Sequence, residues 1–211
     1  MIIVDCEQGS ESWHKARCGR VTASKVADIM RKTKSGPSAM RATYMGVLIA
    51  ERLTGCQEEG FTSAAMQHGK DTEDLARRTY AFQRGAKIQK VGLVIHPTID
   101  MAAASTDSLV NDDGMLEIKC PETKTHIKTL LGEPIDLDYV KQMQFGMGCT
   151  GRKWCDFVSF DPRMPDRMQM SVTRVMRDHA AILEMEVAVR SFLRELDETI
   201  ALLNERFKEA A

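Results

Sequence analysis

Ser105-Thr106-Asp107 and Leu116-Glu117-Ile118-Lys119 place two acids and a lysine on either side of a turn signal, Asn111-Asp112-Asp113-Gly114. A strand over 101–110, that turn and a return strand over 115–120 predict a β-hairpin. Side chains alternate across a strand, so Glu117 and Lys119 share one face and Ile118 takes the other. Two carboxylates converging there suit a hard divalent cation, and carboxylate oxygens favour magnesium or manganese over softer metals. A lysine beside such an ion can hold or polarise a water that attacks phosphorus. Taken alone, E-x-K on a strand is more often a solvated edge with a cross-strand charge pair. Leu116 and Ile118 argue for a strand with a buried face, where charges need partners or a metal.

The elements around this hairpin supply further candidates. Ser10 to Arg17 reads as a short helix capped by Ser10 or Ser12, with Trp13 inward and Arg17 one turn on. Gly19 breaks it, and Thr22-Ala23-Ser24 opens another helix carrying Val26, Ile29 and Met30 on one face. Arg17 with Ser24, in a first turn rich in free N–H groups, makes a candidate phosphate pocket. The plainer alternative is that Ser24 only caps and Arg17 only pairs with an acid. Residues 31–37 form a basic loop, either solvated or following DNA phosphates, with Arg31, Lys32, Lys34 and Arg41 as candidate contacts.

A helix over 38–53 is capped by Ser38 and ended by Gly55, with Met40, Tyr44, Val47 and Leu48 inward. A longer helix over 63–83 ends at Gly85. Gly69 costs it about 1 kcal/mol against alanine, which points to a close backbone approach or a division into two helices. Glu73 either faces the hairpin or is a solvated i,i+4 partner of Arg77.

A strand over 87–96 stops at Pro97. A basic helix after Pro121 carries Lys124, His126 and Lys128. The helix over 136–147 lines up Tyr139, Gln142 and Met143, and Gln142 either orients a water beside Lys119 or is simply exposed. Strands over 154–161 and 168–176 flank a turn at 162–166. The amphipathic helix over 178–207 offers Ile182, Val189, Phe192, Leu193, Leu196, Ile200, Leu203 and Phe207 to the sheet or to another subunit. This order suits an α/β fold with one mixed sheet and helices on both faces.

With 211 residues the chain is expected to form a single domain, 1–211, large enough for a real core. No apolar run spans a bilayer and the N-terminus is not expected to be a secretory signal, so the expected location is the cytoplasm. The six cysteines form no C-x-x-C pair and are expected to be reduced. Proteins that coat nucleic acid are usually more basic than a net charge of −1, so any DNA contact should be local, through a channel or patch.

Asp107, followed after nine residues by Glu117-Ile118-Lys119, resembles the bipartite motif of the PD-(D/E)XK nuclease superfamily. More specific are Ser12 to Arg17 with Val21-Thr22-Ala23-Ser24, His68 to Glu73, Leu116 to Pro121, Tyr139 to Gln144, and Phe160-Asp161-Pro162-Arg163-Met164. Their order resembles that of the lambda-exonuclease and YqaJ-type viral recombinase family, over about residues 7–175. The resemblance implies a restriction-endonuclease-like core. It also implies a phage or prophage exonuclease, active in the bacterial host, that uses two magnesium ions, with manganese a substitute. Such enzymes degrade the 5′-ended strand of duplex DNA to mononucleotides and leave a 3′ overhang for a single-strand annealing protein. Family members form a ring-shaped homotrimer.

By the same resemblance Asp107, Glu117, Glu73 and the Ile118 carbonyl hold the metals. Lys119 and Gln142 position and activate water. Arg17, Ser24 and Ser105 hold the 5′-phosphate, and Tyr139 lies beside the active site. Thr106 and Ser108 depart from the proline and glycine the family often has around the aspartate. Two other classes remain open: an endonuclease on the same fold, which would need a base-reading element, and a DNA-end-binding module without chemistry, against which the intact acids and lysine argue.

Overall fold

The structure, a computed structural model, describes residues 1–34, 36–57 and 64–208. After β1 (Ile2–Val4) comes α1 (Glu11–Arg17), where Ser10 Oγ accepts from the Trp13 N–H at 3.2 Å, making Ser10 the cap. Then β2 (Val21–Thr22) runs through a 3-10 turn, Ala23–Lys25, into α2 (Val26–Met30). The basic segment folds as a small hairpin, β3 (Lys32–Thr33) with β4 (Gly36–Pro37). In α3 (Ala39–Thr54), Ser38 caps the start and Gly55, at φ +70°, closes the end in the left-handed conformation that favours glycine.

The chain continues through α4 (Ala64–Arg84), β5 (Ile88–Gln89), β6 (Leu93–His96), β7 (Ile99–Ala104), β8 (Ser108–Val110) and β9 (Gly114–Lys119). It ends with α5 (Thr123–Leu130), α6 (Leu137–Thr150), β10 (Trp154–Phe160), β11 (Met170–Met176) and α7 (His179–Arg206). Ser63, expected to begin α4, lies outside the described residues. Gly69 does not divide α4, and among the described residues nothing lies within 4 Å of a Cβ built there.

The mixed α/β architecture is present, with its sheet in two parts, ordered β1-β6-β7-β2 and β11-β10-β9-β8-β5. β2 runs parallel to β7 and β9 parallel to β10; the other pairs in both sheets are antiparallel. The strand expected over 101–110 is therefore two strands in different sheets, parted at Ser105-Thr106-Asp107. Side-chain hydrogen bonds replace the ladder there: Thr106 Oγ1 donates to the Leu116 carbonyl at 3.0 Å, and Gln8 Nε2 donates to the Thr106 carbonyl at 2.9 Å. The strand expected over 87–96 also divides, around Gly92, where a Cβ would stand 2.1 Å from the Cys6 carbonyl oxygen.

The β8–β9 hairpin forms in the register Ser108↔Leu116 and Val110↔Gly114. Asn111 supplies its left-handed residue, at φ 48°. Gly114 instead opens β9, and its missing side chain admits the Trp154 ring.

The larger core joins α2, α3, α6 and α7 to the sheets, with Val26, Leu48, Met143, Phe145, Val189 and Phe192 among its buried residues. Met45 packs here, whereas Met40, expected inward, is exposed. Along α7, Ile182, Val189, Phe192, Leu193 and Leu196 are buried, and Phe207 is exposed. A second core packs Ala76 and Tyr80 of α4 against Leu116, Ile118, Val158 and Phe160. No helix among the described residues is long and apolar enough to cross a membrane, and all six cysteines are free.

Candidate active site

Strand alternation sends Leu116 and Ile118 of β9 into the core beneath α4, and Glu117 and Lys119 to the opposite face. Lys119 Nζ donates to Glu117 Oε1 at 2.7 Å, and Gln142 Nε2 of α6 donates to the same oxygen at 2.7 Å. Gln142 is thus no ordinary surface glutamine. Glu117 is buried, so these two donors carry the compensation its charge requires. Lys119 Nζ lies 4.7 Å from the centroid of the Tyr139 ring, which stacks on Phe157. Burial disfavours the Lys119 charge, yet Glu117 and Asp107 outweigh it and hold its pKa above the ordinary lysine value.

Asp107 sits where the chain enters β8, and its Oδ2 accepts from the Ile118 N–H at 2.5 Å. Burial, then the charges of Glu117 and Glu73, push its carboxyl well above the usual range, against the opposing pull of Lys119 and the Ile118 N–H. Asp107 therefore lies within electrostatic reach of both Glu117 and Glu73. Glu73 reaches the site from α4 and is paired with Arg77, as i,i+4 spacing predicts. Arg77 itself is buried, which its spacing did not predict.

Among the described residues, no three His, Cys, Asp or Glu side chains are arranged around an ion position. Glu73 is turned to Arg77, Asp107 to the Ile118 N–H, and Glu117 to Lys119 and Gln142. The donor set, carboxylate oxygens of Asp107, Glu117 and Glu73 with one oxygen of each not engaged by the bonds just named, is nonetheless of the kind a hard cation takes.

A second group lies where β7 ends. Ser105 Oγ accepts from Arg17 Nη1 and from Trp13 Nε1, each at 3.1 Å. The Arg17 guanidinium carbon stands 4.2 Å over the Trp13 ring, and its buried Nε has no partner among the described residues. Arg17 is thus not simply paired with an acid. Ser24 follows two residues after Thr22, whose β7 neighbour Ala103 precedes Ser105 by two. Its hydroxyl lies 3.4 Å from that of Thr22. The structure joins Arg17 and Ser105 directly, whereas the contact of the Ser24 hydroxyl is with Thr22. Of the basic candidates, Arg31 pairs with Asp138, and Arg41 pairs with Glu195 at 2.5 Å.

This mixed α/β arrangement is the nuclease core seen in exonuclease structures. The model of the YqaJ-like viral recombinase domain matches residues 12–153, and the chain belongs to that family. Crystal structures of LHK-Exo, an alkaline exonuclease from Laribacter hongkongensis, one of them in complex with dAMP, are 49% identical to this chain. They cover 96% of it and 100% of their own length, with a TM-score of 0.89. A phage-related exonuclease from Haemophilus somnus is 15% identical over 87% of this chain and 96% of its own, and its TM-score of 0.66 marks a shared fold. No curated protein sequence matches.

Proposed function

We propose that this chain is a magnesium-dependent 5′-to-3′ exonuclease acting on duplex DNA ends. It hydrolyses the 5′-ended strand to mononucleotides and leaves a 3′ single strand for an annealing protein. The observation that carries this reading is the juxtaposition of two groups. Asp107, Glu117, Lys119 and Gln142 meet at one sheet end, and Arg17 with Ser105 lies only two residues up the chain from Asp107. Asp107, Glu117 and Glu73, with the Ile118 carbonyl, would hold two magnesium ions, or manganese in their place. Such ions supply neutralisation of phosphate charge and a more acidic bound water.

The chain's own residues do the rest. Lys119, kept an ammonium by its acidic neighbours and steadied over Tyr139, donates to the attacking water, while Gln142 fixes Glu117. Arg17, Ser105 and Ser24 grip the terminal 5′-phosphate, a contact that sets register without reading sequence. Membership of a viral recombinase family supports placing the reaction in phage or prophage recombination within the bacterial host, and the assembly proposed for it is a homotrimeric ring.

The test is digestion of linear duplex with magnesium, comparing 5′-phosphate ends, 5′-hydroxyl ends and closed circles. Rapid loss of the 5′-phosphorylated strand, with circles intact, is expected. Cut circles would make the chain an endonuclease, and binding of ends without cutting would reduce it to an end-binding module.

A further inference from the structure

Arg77 is a buried guanidinium that the reaction described above does not use. Its Nε donates to Ser108 Oγ at 3.0 Å, its Nη1 to Asp74 Oδ1 at 3.0 Å, and its Nη2 to Glu73. The Ser108 hydroxyl in turn donates to the Asp107 carbonyl. One cation therefore ties α4 to β8 beside Asp107 while holding one oxygen of Glu73. Asp74 is shared with the exposed Lys90 at 2.8 Å and Arg78 at 3.2 Å, whereas Arg77 is the guanidinium bonded to Glu73.

We propose that Arg77 is the built-in counter-cation of this site: it holds Glu73 in place in the metal-free chain and, by keeping a positive charge on one oxygen of that carboxylate, sets how weakly a divalent cation binds. The inference rests on the proposed role of Asp107, Glu117 and Glu73 as cation ligands. Arg77 acts in two ways. It pairs Glu73 and Asp74 with a cation inside the fold and bonds Ser108, which stabilises the metal-free chain. It also holds one oxygen of Glu73, Oε1, so an ion drawn to the other oxygen meets the guanidinium charge close by, which opposes the incoming cation. Arg77 is thus a positioning residue whose removal should shift fold stability and cation affinity in opposite directions.

The experiment measures Mn2+ binding by electron paramagnetic resonance and thermal unfolding with and without Mg2+, for the full chain and for Arg77→Gln. The variant should unfold at lower temperature without metal, bind Mn2+ on the order of tenfold more tightly, and gain more from Mg2+ than the unaltered chain. Combining it with Glu73→Gln should abolish the tightening. A lower Tm with unchanged or weaker Mn2+ affinity would reduce Arg77 to a structural rivet and overturn the inference.

A second measurement needs no neutralising variant. In 15N-labelled chain the buried Arg77 Nε–H signal, assigned by its loss in Arg77→Lys, should move on Mg2+ addition. Mg2+ binding that leaves it unmoved overturns the proposal even if Arg77→Gln fails to fold. Absence of Mn2+ binding to the unaltered chain would overturn the cation site itself and this inference with it.

Discussion

Arg17→Met removes a guanidinium while keeping an unbranched side chain against the Trp13 ring. In the structure that guanidinium gives one hydrogen bond to Ser105, lies 4.2 Å over Trp13 and keeps a buried Nε with no partner among the described residues. Burial lowers its pKa, but arginine stays charged at any working pH. A hydrogen bond from such a group to a phosphate contributes about 1.5–3 kcal/mol. Its loss should lower kcat/KM on 5′-phosphorylated ends by about 10–150-fold, while 5′-hydroxyl ends change by a few-fold at most. The assay compares initial rates on two linear duplexes that differ only in that terminal group. A preference for phosphate that survives in Arg17→Met would refute the pocket. Equal losses on both ends would refute it too, because they would show that Arg17 merely seats α1 through Trp13 and Ser105.

Lys119→Met should fold and lose about 10²–10³ in kcat; near-normal cutting with unchanged circular dichroism would remove Lys119 from the chemistry. Asp161 is fully buried, and although burial pushes its carboxyl up, Arg163 and the Thr123 hydroxyl hold it down to about 2. A carboxyl depressed on folding stabilises above its unfolded pKa and loses that contribution as pH falls towards the folded value. Since Arg163 is half exposed, Asp161→Asn should cost about 1–2 kcal/mol at pH 7 and progressively less between about pH 4 and 2. Urea unfolding at pH 7 and pH 3 measures this, and a gap that widens in acid would reverse the sign argued here. Gly114→Ala would place a Cβ 2.2 Å from the Trp154 ring; a loss of about 1–3 kcal/mol by thermal unfolding is expected, and an unchanged Tm would show that the ring yields freely.

Local chemistry carried most of what was legible beforehand. Ser10 and Ser38 cap their helices and Gly55 closes one, because those signals act within a few residues. The Glu117–Lys119 pair followed from alternation alone. The division of the sheet did not show, because Met101 to Val110 is continuous in β propensity. The hydrogen bonds that part it come from Gln8 and from Thr106 reaching Leu116. Arg77 looked like the surface half of an i,i+4 pair; its burial depends on Ser108, thirty-one residues away in sequence. The nearest signal was Ser108 itself, standing where a glycine is often found. Gly114 was read as a turn residue, yet the constraint on it comes from Trp154 of a neighbouring strand.

The passage from β7 to β8 makes the backbone itself a measuring device. Ser105 and Asp107 are two residues apart, a reach of at most about 7 Å, and Thr106 between them is pinned by Leu116 and Gln8. On the proposed assignment the grip on the strand end and the point of hydrolysis are therefore joined by a short, fixed spacer comparable to one phosphodiester step. On that assignment the spacing between grip and cut depends on this backbone segment and on how α1 seats Arg17 against Ser105, with no part played by the base sequence of the substrate.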